Sequence, residues 1–171
     1  EGKEFEILPI GLAARDSLRI EMGYCLYGNE IDENISPIEA GLNWITKTET
    51  NFYGSDRIKE DKEIGFKYKI IGIKSKDRII PRKGNIILNS DKDEIGVITS
   101  GTFSPTLKTP IGIGFILKDK LNSNEEVFID NKRKTFMAKT TSLPFINSWV
   151  NNILILGGSG FVGNSLYKEL S

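Results

Sequence analysis

The chain has 171 residues, room for one good-sized domain or a domain with pieces of another, and too few for a third. Its 23 basic and 23 acidic side chains cancel, so there is no electrostatic case for binding nucleic acid or an anionic membrane surface. With no histidine and one cysteine, Cys25, the sequence excludes Ser-His-Asp and Cys-His catalysis, the usual zinc sites and an internal disulfide.

Acid-base work would therefore fall to carboxylates, lysines or tyrosines. The most apolar run, Ile153 to Gly157, is far short of the roughly 20 residues a membrane span needs. The opening EGKEFEI does not read as a signal peptide, and a cytoplasmic location with no membrane partner is expected.

The first expected element is a helix over residues 9–23, PIGLAARDSLRIEMG. Ala14, Leu18 and Met22 recur every four residues, Asp16 can pair with Arg19 one turn on, and Gly23 is placed to stop the helix. Arg15 and Arg19 share a second face. After an acidic, polar loop from Gly28 to Asn34, Ser36, Pro37 and Glu39 form the N-cap, first-turn proline and capping-box acid of a short helix that Gly41 ends. Cys25, Tyr24 and Tyr27 sit among apolar neighbours and are expected in the core.

From about Lys62 the texture changes to strands. FKYKIIGIK alternates over part of its length, and runs at Asn85–Asn89, Glu94–Thr99, Ile111–Leu117, Glu125–Asp130 and Lys134–Thr140 are bounded by turn residues. Six short strands at this spacing predict a small antiparallel barrel. The charged spots around Lys59 and Arg133 read as solvated strand ends and turns.

Two motifs go beyond fold class. GLAARDSLRIEMGYCLYGNEIDENISPIEAGLNW, residues 11–44, resembles a segment of aminomethyltransferases, the T-proteins of the glycine cleavage system. IGVITSGTFSPTLKTPIGIGFI, residues 95–116, is similar to the same family's C-terminal barrel, with IIPRKG before it and KTTSLPFI after it. The resemblance covers residues 8 to about 146. It implies an α+β, mainly β chain: the end of a folate-binding domain over 1–60, then a six-stranded, Greek-key-like barrel over 61–147.

It also implies a tetrahydrofolate-dependent transfer of the one-carbon unit from the aminomethylated lipoyl arm of the H-protein, with release of ammonia. Arg15, in the Ala-Arg-Asp motif, is then expected to line the folate pocket, where a rigid donor fork suits a carbonyl-rich ring or a carboxylate tail. In EFEI, Glu6 is the candidate for a family glutamate whose carboxylate accepts from the amino-pyrimidine edge of the pterin. The family places that glutamate much farther ahead of the arginine than the nine positions found here. No residue matches the family's catalytic aspartate, which lies in its N-terminal half. Asp32 and Glu33 read as solvated loop acids, and TSGTFSP as architecture, with Gly101 and Pro105 shaping the backbone and Phe103 packing beneath.

The last stretch, NNILILGGSGFVGNSLYKELS at 151–171, carries Gly158, Gly160 and Gly163 in G-x-G-x-x-G spacing after a short apolar run. It resembles the start of short-chain dehydrogenase and sugar-epimerase domains. Only eight residues follow Gly163, so the expectation for 148–171 is a Rossmann β-α remnant without function; the other reading adds ILIL to the barrel as a strand. Three functions stand: aminomethyltransferase, a folate-binding regulatory or non-transferase relative, and a fragment of an NAD-dependent epimerase fusion. An exposed pocket wall is expected to favour a homodimer.

Overall fold

The computed structural model describes residues 3–120 and 124–146. A short 3-10 turn, Lys3–Phe5, leads by an extended segment to α1 (Leu12–Glu21). A long irregular stretch carries the chain to α2 (Ser55–Ile64), and six strands follow: β1 (Tyr68–Ser75), β2 (Ile86–Leu88), β3 (Glu94–Ser104), β4 (Thr109–Leu117), β5 (Glu126–Asp130) and β6 (Thr135–Thr141). They close into an antiparallel barrel in the order β1-β4-β3-β2-β5-β6. Since β2, β3 and β4 are consecutive neighbours and β1 returns beside β4, the connection is a Greek key. The glycine motif at 158–163, and the remnant reading of 148–171, lie outside the described residues.

The expected strands are present, with β3 running past Thr99 to Ser104 because TSGTFS continues to pair with β4. β4 uses its two faces differently. Gly112 and Gly114 point inward, where a Cβ on Gly114 would press against Ile87, and Ile116 joins the barrel interior. That interior is largely β-branched: Ile71, Ile73, Ile87, Ile95, Ile98 and Ile129, with Val127, Phe136 and Ala138. Such side chains lose little rotamer freedom on a pleated surface. Ile111 and Ile113 point outward and make a second cluster with Ile20 of α1 and Phe145.

α1 ends where glycine permits. Tyr24 N–H donates to Arg19 C=O at 2.8 Å and Gly23 N–H to Ile20 C=O at 2.9 Å, a Schellman motif with Gly23 at φ +69°. The predicted helix at 36–41 is a single turn. Ser36 N–H donates to the Glu39 carboxylate and Ser36 Oγ accepts from Ile38 N–H, as a capping box should. A second Schellman pair at Gly41, φ +75°, stops it at once. The sequence reading missed α2, whose ten residues bury only Ser55. Lys59 therefore lies on a helix, 3.8 Å from Asp56, and not at a strand end.

Other expectations need correction. Tyr24 and Tyr27 are 60% and 70% exposed, because the 24–31 loop turns Glu30 inward in their place. Phe103 stands half exposed at the end of β3 and does not pack under the turn. Pro105 does begin the β3–β4 turn, and Gly101 is required by close approach: a Cβ there would lie 1.9 Å from Pro81 O. Among the described residues no helix is long and apolar enough to cross a membrane.

Candidate functional site

α1 touches the barrel with its last turn only. Arg19, Ile20 and Glu21 are buried, while Leu12 and Leu18 remain exposed, so the stripe through Leu18 is not the packed face. The packed face is half apolar and half polar because the surface beneath it is. On β4, Ile111 and Ile113 receive Ile20. Across the ladder, their partners on β3 are Thr102 and Ser100, and Ser104 follows on the same face.

Each of these hydroxyls meets a side chain of α1. Arg19 Nη2 donates to Ser100 Oγ at 2.9 Å, Ser17 Oγ and Thr102 Oγ1 share a hydrogen bond at 3.1 Å, and Ser104 Oγ donates to the Glu21 carboxylate. Glu21 also accepts from Thr106 N–H at 3.2 Å and from Thr106 Oγ1 at 2.9 Å. Three donors thus satisfy a carboxylate that has no solvent access.

Arg19 is the centre of a second node. Its Nε donates to Asp16 Oδ1 at 2.7 Å and its Nη1 to Glu30 Oε2 at 3.1 Å. Glu30, fully buried, accepts further from Thr99 Oγ1 and Ser100 Oγ, each at 2.6 Å, and from Leu26 N–H at 3.0 Å. The register shift between Ile98 and Ser100 is what lets the adjacent Thr99 and Ser100 both reach this carboxylate. A fork with five donors suits such a node where a lysine would not.

The predicted pocket residues lie elsewhere. Arg15, one turn before Arg19, is exposed and has no hydrogen bond or ion pair among the described residues. The two acids of α1, neither at the three- or four-residue spacing that would bring it beside Arg15, are engaged elsewhere: Asp16 by Arg19, Glu21 by Ser104 and Thr106. Glu6 is also exposed, just after the 3-10 turn, in a left-handed conformation at φ +56°. No hydrogen bond joins it to Arg15. Around them Phe5, Ile7, Leu8, Ile10 and Leu12 all stand exposed. Asp32 caps the N–H groups of Asn34 and Ile35, and Glu33 is exposed, so both are the loop acids expected.

A cavity of about 750 Å³ opens between the 22–25 and 40–44 segments, β1 and the closing residues 141–144. Tyr24, Cys25, Leu42, Trp44, Ile70 and Pro144 are among its walls, and neither Arg15 nor Glu6 is. Burial raises the Cys25 thiol above its ordinary value, with the Glu30 carboxylate adding to the effect and Arg19 opposing it. Its Sγ points to Ala40 O at 3.6 Å. That combination describes an inert thiol and not a nucleophile.

The sequence reading missed Glu30, Glu21 and the role of Arg19. Glu30 sits in a run with Asp32 and Glu33, and nothing in the local pattern separates the buried acid from its solvated neighbours. The signal that existed was TSGTFS itself, whose hydroxyls alternate at positions 100, 102 and 104.

Residues 1–50 match the family described as GCVT N-terminal domain, and residues 69–147 match the Glycine cleavage T-protein C-terminal barrel domain. An aminomethyltransferase of Flavobacterium psychrophilum is 43% identical over 144 residues, covering 84% of this chain and 40% of that protein. One from Halothermothrix orenii is 44% identical over 146 residues, covering 85% of this chain and 41% of that protein. The crystal structure of the glycine cleavage system aminomethyltransferase T from Bartonella henselae superposes with a TM-score of 0.78 at 34% identity, over 85% of this chain and 41% of that one. The chain therefore spans about two fifths of the length of these relatives.

Proposed function

From the premise that this chain belongs to the glycine cleavage T-protein family, we propose that it supplies part of an aminomethyltransferase: the end of a folate-binding domain, over residues 1–60, and the barrel of 61–147 that supports it. The reaction is transfer of the one-carbon unit of a lipoyl-bound aminomethyl group to tetrahydrofolate, with release of ammonia. The H-protein that carries the lipoyl arm is the partner. Tetrahydrofolate, when bound, supplies the acceptor for the one-carbon unit.

What this chain's own residues do in that reading is bind and orient. Arg15 offers a permanently charged, planar donor set to the carbonyl-rich ring or the carboxylate tail of folate. Glu6 offers a carboxylate able to accept two hydrogen bonds from the amino-pyrimidine edge. The observation that carries the proposal is that Arg15, within its Ala-Arg-Asp motif, is held exposed while the acids beside it are engaged elsewhere. A cation left without a partner among the described residues, in a segment of exposed apolar side chains, fits an anionic ligand with a flat ring. The same apolar strip from Phe5 to Leu12 is the face through which two copies would associate.

Titration of tetrahydrofolate into the chain, followed by fluorescence of the exposed Trp44, tests the reading. Saturable binding that is lost in Arg15→Ala is the expected result. Binding unchanged by that substitution, or none at all, would remove Arg15 and this chain from the folate site.

A further inference from the structure

We infer that the barrel is the positioning device for Arg15, acting through the hydroxyl stripe Ser100, Thr102 and Ser104 on β3, with Arg19 as the principal positioning residue. The inference rests on Arg15 being a folate-binding group and concerns how it is held. An isolated helix of ten residues is marginal in water, and the only apolar side chain that α1 buries is Ile20. Apolar contact is non-directional, so the packing of Ile20 on Ile111, Ile113 and Phe145 does not by itself fix the rotation of the helix, and the Phe145 N–H bond to Glu21 C=O at 2.9 Å holds only its C-terminal end.

The hydroxyl stripe removes that freedom. Bonds from Ser17, Arg19 and Glu21 reach three successive same-face positions of one strand, each with its own direction. Residues four apart share a helix face, so any rotation that breaks Arg19 from Ser100 carries Arg15 away with it. Arg19 has a second effect. It holds Asp16 at 2.7 Å, one turn back, so the acid next to Arg15 in sequence faces Arg19 and is engaged within the helix. The first effect originates in β3, a strand far from Arg15 in sequence, and the second within α1 itself.

A double-substitution cycle on tetrahydrofolate affinity tests this, using the parent chain, Arg19→Lys, Arg15→Lys and the pair. A lysine keeps the charge at position 19 but not the fork. Arg19→Lys is expected to weaken binding about tenfold in the parent and to have little further effect once Arg15 is lysine, since coupled residues depart from additivity. Equal losses in both backgrounds, or no loss, would overturn the inference and leave the folate reading standing. Failure of the parent chain to bind would instead remove the folate reading.

Amide hydrogen exchange without folate is the independent readout. Faster exchange along α1 in Arg19→Lys, with β3 and β4 still protected, is expected, and unchanged exchange would overturn the positioning role whatever folate does. Thr102→Val, isosteric and lacking the hydroxyl, is the milder variant should Arg19→Lys fail to fold. It is expected to speed exchange in α1 too, and protection equal to the parent's would count against the stripe.

Discussion

Arg19 on α1 donates through Nη2 to Ser100 Oγ on β3 at 2.9 Å, across 81 residues of sequence, and the same guanidinium holds Glu30 and Asp16. One turn earlier Arg15 makes no hydrogen bond or ion pair with the described residues. Two arginines of a single motif are thus divided between holding the structure and facing out of it.

That division predicts opposite outcomes for one kind of substitution. Arg19→Ala leaves the buried Glu30 without its cation and is expected to cost about 3 kcal/mol of stability in urea unfolding. Arg15→Ala, at an exposed position without partners among the described residues, is expected to stay within about 0.5 kcal/mol. Equal losses in the two variants would contradict the described geometry.

Gly101 offers a test of close packing. A methyl there would meet Pro81 O at 1.9 Å and has no flexible side chain to displace, so Gly101→Ala is expected to cost 2 kcal/mol or more, about the upper range for overpacked sites. Gly11 precedes α1 with open space around it, and Gly11→Ala serves as the control. Thermal unfolding of both variants, compared with the parent, checks the difference.

Cys25 is raised by burial first and by Glu30 second, so the fold favours its neutral thiol. Its contribution to stability is then present in full below the thiol's unfolded value and is lost as pH rises through the higher folded one. Alkylation by iodoacetamide is expected to be slow at pH 8, with a rate profile displaced to higher pH than that of the same cysteine in urea. Coincident profiles would show the thiol to be solvated.

The Lys76–Glu126 pair on the barrel surface behaves in the opposite sense. Its hydrogen bond and the nearby positive charge hold Glu126 below the ordinary carboxylate value. Any stability it adds is present above the unfolded value and lost as pH falls through the folded one, and salt screens it. In an NMR titration Lys76→Met is expected to return Glu126 toward the usual range; an unchanged midpoint would mean that the pair does not persist in solution.

Local order was legible in the sequence. Gly23 and Gly41 stop their turns because only a residue tolerant of positive φ completes a Schellman motif. Ser36 and Glu39 cap each other as their spacing requires, and six short apolar runs bounded by turn residues close into the barrel. α2 was not legible, because a charged, ten-residue segment burying one serine has no apolar period to read.

Sequence by itself determined α1, the six strands, the barrel they build and the family motifs, since these follow from spacing within a few residues of each other. Tertiary structure alone decided which acid of GNEIDEN is buried, which arginine of the motif is consumed, and why β3 alternates hydroxyls. Glu30 meets Thr99 and Ser100 across 69 and 70 residues, and Glu21 meets Ser104 across 83. The burial of a carboxylate depends on donors brought to it by the closed sheet, and no local pattern records where those donors will be.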